Sequence, residues 1–145
     1  MALSWDRAAL LTVSAAPAAP APAAPVTLMP FVLPGGLGAH KWCDRRLLEA
    51  LGERTAGAVP LLVDGDGRVL EAAYANVWIV ERGELLTPPA DGCILPGVTR
   101  AGLLAAEPAA REVEIGLERL ERADAILLTS SIAGRHAARL ASVVA

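Results

Sequence analysis

Apolar positions along this chain fall into short runs whose period changes several times, each run closed by turn residues. Val26–Leu33 reads as a strand despite Pro30, and Pro34-Gly35-Gly36-Leu37-Gly38 follows as a turn. Over Trp42–Arg54 the apolar residues Leu47, Leu48 and Leu51 alternate with charges at helical spacing, which predicts a short amphipathic helix. Val59–Val63 predicts a strand, Asp64-Gly65-Asp66-Gly67 supplies hairpin turn chemistry, and the chain returns over Arg68–Ala72. A second hairpin joins Asn76–Val80 to Glu84–Thr87 around Arg82-Gly83, and Pro88-Pro89 ends it. Pro96-Gly97 leads into a predicted helix over Val98–Glu107, stopped by Pro108. Beyond it lie a predicted strand at Glu112–Ile115, a helical turn or two at Leu117–Arg122, and a buried strand at Ala125–Thr129. The alanine-rich tail, Ile132–Val144, predicts a helix. Strands and helices mix without strict alternation and without an internal repeat, so the pattern predicts an α+β fold.

The first forty residues differ from the rest. No charged residue occurs from Ala8 to Ala39, but Pro17, Pro20, Pro22, Pro25, Pro30 and Pro34 interrupt the stretch. A membrane-spanning helix does not tolerate prolines at that density. Arg7 followed by Ala8–Val13 has some of the form of an export signal, but Asp6 cancels the basic charge and the apolar run is short. The expected arrangement is a brief strand at Ala8–Val13 and a Pro/Ala linker in extended geometry, with a domain boundary dividing residues 1–29 from 30–145.

Length and charge narrow the function classes. A chain of 145 residues makes one domain, which buries about two thirds of its unfolded surface. Apolar residues are 54% of the total, much of it alanine, and aromatics only 3%, so Leu, Val and Ile must build the core. A formal charge of −3 with no basic stripe gives no footprint for nucleic acid. Cys43 and Cys93 lie far apart without a CxxC or ligand cluster, which predicts structural thiols in a reducing, cytoplasmic compartment.

Several motifs resemble functional sites without completing them. Asp64-Gly65-Asp66-Gly67 lacks the closing acidic residue of a calcium loop and is flanked by strands. Gly35-Gly36-Leu37-Gly38 has neither the dinucleotide nor the P-loop spacing. His40 and His136 have no partner at metal-ligand spacing, and Ser130-Ser131 has neither a nucleophile elbow nor a His–Asp pair. No metal site is expected.

Lys41 stands apart, because it is the only lysine in the chain and the other twelve basic residues are arginines. Arginine cannot form an imine with a carbonyl group, so the single retained amine is a candidate for covalent chemistry. Downstream, Glu71 lies near the end of one predicted strand, and Pro96-Gly97 opens a helix N-terminus able to receive a phosphate.

Lys41 with His40 before it and Asp44-Arg45 after it, Glu71, Asn76, Thr87-Pro88 and Leu95-Pro96-Gly97-Val98-Thr99-Arg100 together resemble the class IV (fold-type IV) pyridoxal-phosphate family. That family includes branched-chain and D-amino-acid aminotransferases and 4-amino-4-deoxychorismate lyase, and the likeness is greatest to lyase-like members. It runs from about Pro30 to Gly134. The resemblance implies the C-terminal α/β pseudo-barrel domain of the D-amino-acid aminotransferase-like fold, with pyridoxal 5′-phosphate as cofactor and a small amino compound as substrate. It implies Lys41 as the catalytic lysine that carries the cofactor and shuttles protons. Glu71 would lie against the pyridine nitrogen, with Asn76 structural in the next strand. Val98 and Thr99 would hold the phosphate at the helix N-terminus, and Ser131, beside Ser130, would add a second hydroxyl. The implied reaction is elimination of pyruvate from aminodeoxychorismate to give 4-aminobenzoate, or transamination of an amino acid.

Family members carry a further N-terminal domain that supplies a phosphate-binding arginine and helps to form a dimer. The resemblance begins some thirty residues into this chain, and Arg7 does not match that arginine. After Gly134 the family's Pro-Val segment gives way to Arg135-His136-Ala137-Ala138. The expectation is therefore a cofactor-binding half. It would act as a homodimer, with a separately encoded N-terminal half, or as a non-catalytic remnant.

Overall fold

The structure is a computed structural model and describes Pro17 and residues 22–141. The strand expected at Ala8–Val13 lies outside the described residues. Eight strands and three helices follow in the order β1 (Val26–Val32), α1 (Arg46–Glu53), β2 (Val59–Val63), β3 (Val69–Ala72), β4 (Ala75–Glu81), β5 (Glu84–Thr87), α2 (Val98–Ala106), β6 (Ala110–Glu112), α3 (Leu117–Arg122), β7 (Ala125–Ser130) and β8 (Gly134–Leu140). The strands join in the order β3-β2-β1-β8-β7-β4-β5-β6, and a further pairing of β3 with β4 closes the first six into a barrel. Closure leaves none of those six as a free sheet edge along its whole length. The α+β pseudo-barrel expected from the sequence is the fold observed.

Apolar side chains fill the barrel: Leu28, Leu61, Val69, Val77, Ile79, Leu128 and their neighbours are nearly or wholly buried in one cluster. A second, smaller cluster joins Leu48 of α1 to Leu62, Leu70 and Ile94 on the outside of the wall. β2 is thus buried on both faces, which is why its sequence reads as a continuous apolar run rather than an alternation. Pro30 is tolerated in β1 because β8 pairs only with Val26–Leu28, so Pro30 lies where β1 has a single hydrogen-bonded neighbour. Arg82 and Gly83 both take positive φ, 51° and 82°, the geometry that a tight two-residue hairpin needs.

Three sequence expectations change. The tail from Ile132 is not helical: Gly134–Leu140 is β8, antiparallel to β7 and parallel to β1. Alanine favours a helix in isolation, but here the segment fills the gap between two strands and buries His136 and Ala138 on alternate positions. The helix expected from Trp42 starts only at Arg46, because Asp44 accepts the Arg46 N–H (3.1 Å) and ends the preceding loop. The strand expected at Glu112–Ile115 lies upstream, at Ala110–Glu112, where β5 offers Leu85–Thr87 as partners.

Candidate active site

One cleft of about 770 Å³ opens on the outer face of the barrel, and all five residues nominated from the sequence line it: Lys41, Glu71, Val98, Thr99 and Ser131. Its floor is the β3–β4 pair, its sides are the loop before α1 and the turn before β8, and its far end is the N-terminus of α2.

Glu71 owes its position to a bulge. Leu61 pairs with Ala72 and Val63 with Val69, so β3 carries one residue more than β2 across this interval. Val69 and Ala72 therefore both reach the barrel core, while Leu70 joins the outer cluster and Glu71 faces the cleft. Glu71 is only 7% exposed and lies opposite Asn76 across the strand pair. Burial pushes its carboxyl up from 4.5 to about 7, against the opposing pull of the Leu95 N–H and the Arg45 charge. A cation brought beside this carboxyl would draw it back into the ionised form.

Lys41 sits in the irregular loop between β1 and α1, exposed to the cleft. That loop is tied down at two places beside it. Trp42 donates its indole N–H to the Leu37 carbonyl (2.7 Å), and Arg45 donates to the Ala73 carbonyl at the β3–β4 turn. Arg45 is a cleft residue to which sequence inspection assigns no role, although it flanks Lys41 and its charge acts on Glu71.

The N-terminus of α2 begins after Gly97, and no side chain caps it. The first amide N–H groups of a helix are orphan donors with a favourable dipole for anions, and here Val98 and Thr99 carry them into the cleft. The helix is anchored from behind by Arg100. This guanidinium is 3% exposed and donates to the Pro88 carbonyl (2.7 Å), the Thr87 hydroxyl (3.4 Å) and Glu112. Of the two serines, Ser130 accepts the Ala133 N–H (3.0 Å) within its own turn, whereas Ser131 is exposed on the cleft wall.

Trp42, Tyr74, Val98 and Ile132 give the cleft an apolar rim, and each is 46% exposed or more. Tyr74 stacks on His136, with ring centroids 6.3 Å apart. His136 points into the end of the barrel, and neither ring nitrogen has a hydrogen-bond partner among the described residues. Burial accordingly holds its imidazole below its usual range. Sequence inspection misses Tyr74, because Ala73-Tyr74 is a two-residue turn without Gly, Asn or Asp. Elsewhere, a concavity of about 890 Å³ beside α3 is lined by opposite charges already paired with each other, as in Arg119–Glu81 (2.8 Å) and Arg122–Glu118 (2.7 Å). Cys43 and Cys93 are free thiols, and no described helix is long and apolar enough to cross a membrane.

Comparison with known proteins gives the family and the fold. The family model for amino-transferase class IV matches residues 6–139. A protein of Thermotoga maritima named as a probable branched-chain-amino-acid aminotransferase is 35% identical over 81 residues, covering 51% of this chain and 29% of that protein. A provisionally assigned 4-amino-4-deoxychorismate lyase of Legionella pneumophila superimposes with a TM-score of 0.77 at 25% identity. That match covers 86% of this chain and 50% of the other. The 4-amino-4-deoxychorismate lyase of Pseudomonas aeruginosa gives a TM-score of 0.65 at 26% identity, covering 80% of this chain and 47% of that one. The chain thus spans about half the length of these two solved structures and less of the curated relative.

Proposed function

The chain belongs to the class IV aminotransferase family, and from that premise we propose that its cleft is the pyridoxal 5′-phosphate half-site of a lyase or aminotransferase. The observation that carries this reading is the convergence of the only lysine, a buried carboxylate and an uncapped helix N-terminus on one cavity. Pyridoxal phosphate carries an aldehyde, a basic ring nitrogen and a phosphate, and these three features meet complementary groups here. Lys41 offers the amine that binds the aldehyde and later accepts or returns a proton at the substrate's α-carbon. Glu71 holds the ring nitrogen protonated. Its buried carboxyl, titrating near neutrality when alone, is ionised by the cation it faces. Val98 and Thr99 bind phosphate oxygens through backbone N–H groups and the Thr99 hydroxyl, and Ser131 adds a hydroxyl from the opposite wall. Once bound, the cofactor supplies the electron sink that stabilises negative charge at the substrate's α-carbon.

For the reaction, we favour lyase-like elimination of pyruvate from aminodeoxychorismate to give 4-aminobenzoate, with transamination of a small amino acid as the alternative within the family. Both use the same Lys41 proton transfer and differ in which bond breaks afterwards. A cytoplasmic setting is consistent with two free thiols. A second reading, that the chain works only with a counterpart, rests on the apolar rim of Trp42, Tyr74, Val98 and Ile132. An exposed apolar rim around a cleft is the kind of surface a second protein body covers. That body would be a second copy or a separately supplied N-terminal half.

The test is to add pyridoxal phosphate to the purified chain, record its visible absorption, reduce with borohydride and identify the modified peptide by mass. An adduct on Lys41 that is lost in Lys41→Arg is the expected result. Modification confined to the N-terminal amine would overturn the cofactor assignment. Product assays for 4-aminobenzoate against keto acids, with and without an added N-terminal half, then separate the reactions.

A further inference from the structure

The strap that enters α2 is held by few groups, and its sequence explains why. Pro96 has no N–H, so between Ile94 and Val98 the backbone donors are those of Leu95 and Gly97. The Leu95 N–H donates to Glu71 Oε2 at 3.3 Å. Asn76 Nδ2 donates to the Leu95 carbonyl at 2.7 Å, and the Gly97 N–H bonds the same oxygen at 2.9 Å. Both sides of one peptide residue are therefore gripped by a directly opposed cross-strand pair, Glu71 and Asn76. Asn76 is 5% exposed, and its other amide atom, Oδ1, faces Gly97 so closely that a Cβ there would lie 2.1 Å away.

We infer that Asn76, which lines the cleft, is a positioning residue that acts through Leu95 and sets the anion-binding N-terminus of α2 at a fixed distance from Glu71. The inference rests on the cofactor reading above. Glu71 addresses one end of a rigid aromatic ligand and α2 the other, so a ligand that engages both needs the spacing between them held. Asn76 supplies the only side-chain bond among those described from the barrel wall to the Leu95 carbonyl, immediately before the helix. The amide matters because the position must donate to a carbonyl, and the isosteric aspartate, ionised at neutral pH, cannot. Gly97 belongs to the same device: its missing side chain is the space that Asn76 Oδ1 occupies.

The test uses two probes that differ only in the phosphate, pyridoxal phosphate and pyridoxal. Their dissociation constants are measured on the full chain from the visible band, with the borohydride-fixed fraction on Lys41 as a check. For Asn76→Asp the preference for pyridoxal phosphate over pyridoxal should fall by about 10-fold, with pyridoxal affinity within about 2-fold of the unaltered chain. A general loss of structure would weaken both probes alike and would not move that ratio. Gly97→Ala keeps every hydrogen-bonding group and displaces the Asn76 amide, so it should lower the ratio in the same direction even if Asn76→Asp folds poorly. An unchanged ratio in a folded variant of either kind would overturn the positioning role alone. Failure of the unaltered chain to form a Lys41 adduct with either probe would instead overturn the cofactor reading, and this inference with it.

Discussion

Replacing Glu71 by glutamine should alter how the stability of this chain depends on pH. Burial lifts the Glu71 carboxyl from 4.5 to about 7, in spite of the Leu95 N–H and the neighbouring Arg45. The folded-state value is therefore above the unfolded one. Protonated Glu71 contributes stability that is fully present below about pH 4.5 and is lost as the pH rises through about 7. At about 1.4 kcal/mol for each pH unit separating the two values, the loss comes to about 3 kcal/mol. Glu71→Gln has no charge to bury and can still accept the Leu95 N–H through its amide oxygen. Relative to the unaltered chain, the variant should gain about 3 kcal/mol between pH 4.5 and 8.5, or roughly 10 °C in Tm at the upper end. Urea unfolding of both proteins at half-unit pH steps measures this directly. His136 and the surface ion pairs are common to both and largely cancel in the difference. A difference that stays flat within about 1 kcal/mol, or that moves against the variant as pH rises, would refute the reasoning. Glu71 would then be solvated, or already neutralised by Arg45, in the free chain.

Other outcomes follow from the same contacts. Gly36→Ala places a methyl group 2.2 Å from the Cys93 carbonyl oxygen at a φ of +63°, and should cost about 2–3 kcal/mol in thermal unfolding. Arg100→Met leaves the Pro88 carbonyl and Thr87 hydroxyl without their buried donor and should destabilise by about 2–4 kcal/mol, read from urea midpoints. The His136 imidazole is held below 6.5 by burial, so its contribution is present above pH 6.5 and is lost as the pH falls. His136→Leu should flatten the acid side of the stability profile, and an unchanged profile would show that His136 is hydrated. Lys41→Arg, at an exposed loop position, should leave unfolding within about 0.5 kcal/mol while abolishing the borohydride-fixed adduct.

Local chemistry made much of this molecule readable in advance. Asp64-Gly65-Asp66-Gly67 and Arg82-Gly83 mark hairpins because their residues suit tight turns. Pro96-Gly97 and Pro108 bracket α2 because proline starts and stops helices. A lone lysine, an acid at a strand end and a helix opening are chemical facts of the chain. The sequence also carried enough motif to identify the family, which the match over residues 6–139 bears out.

What it could not determine depends on partners distant along the chain. Gly134–Leu140 is a strand because β1 and β7 leave a slot for it, and alanine's helical preference is too weak to outweigh a completed ladder of hydrogen bonds. Glu71 faces the cleft because β3 gains a residue against β2, and a bulge is a property of the pair rather than of either strand. Likewise, the grip of Asn76 and Glu71 on Leu95 exists only once barrel closure brings that strap against the wall. The sequence by itself determined which chemical groups this protein has and where its backbone turns. Tertiary structure decided which groups face one another, because register, closure and burial are set by contacts between segments that no local pattern encodes.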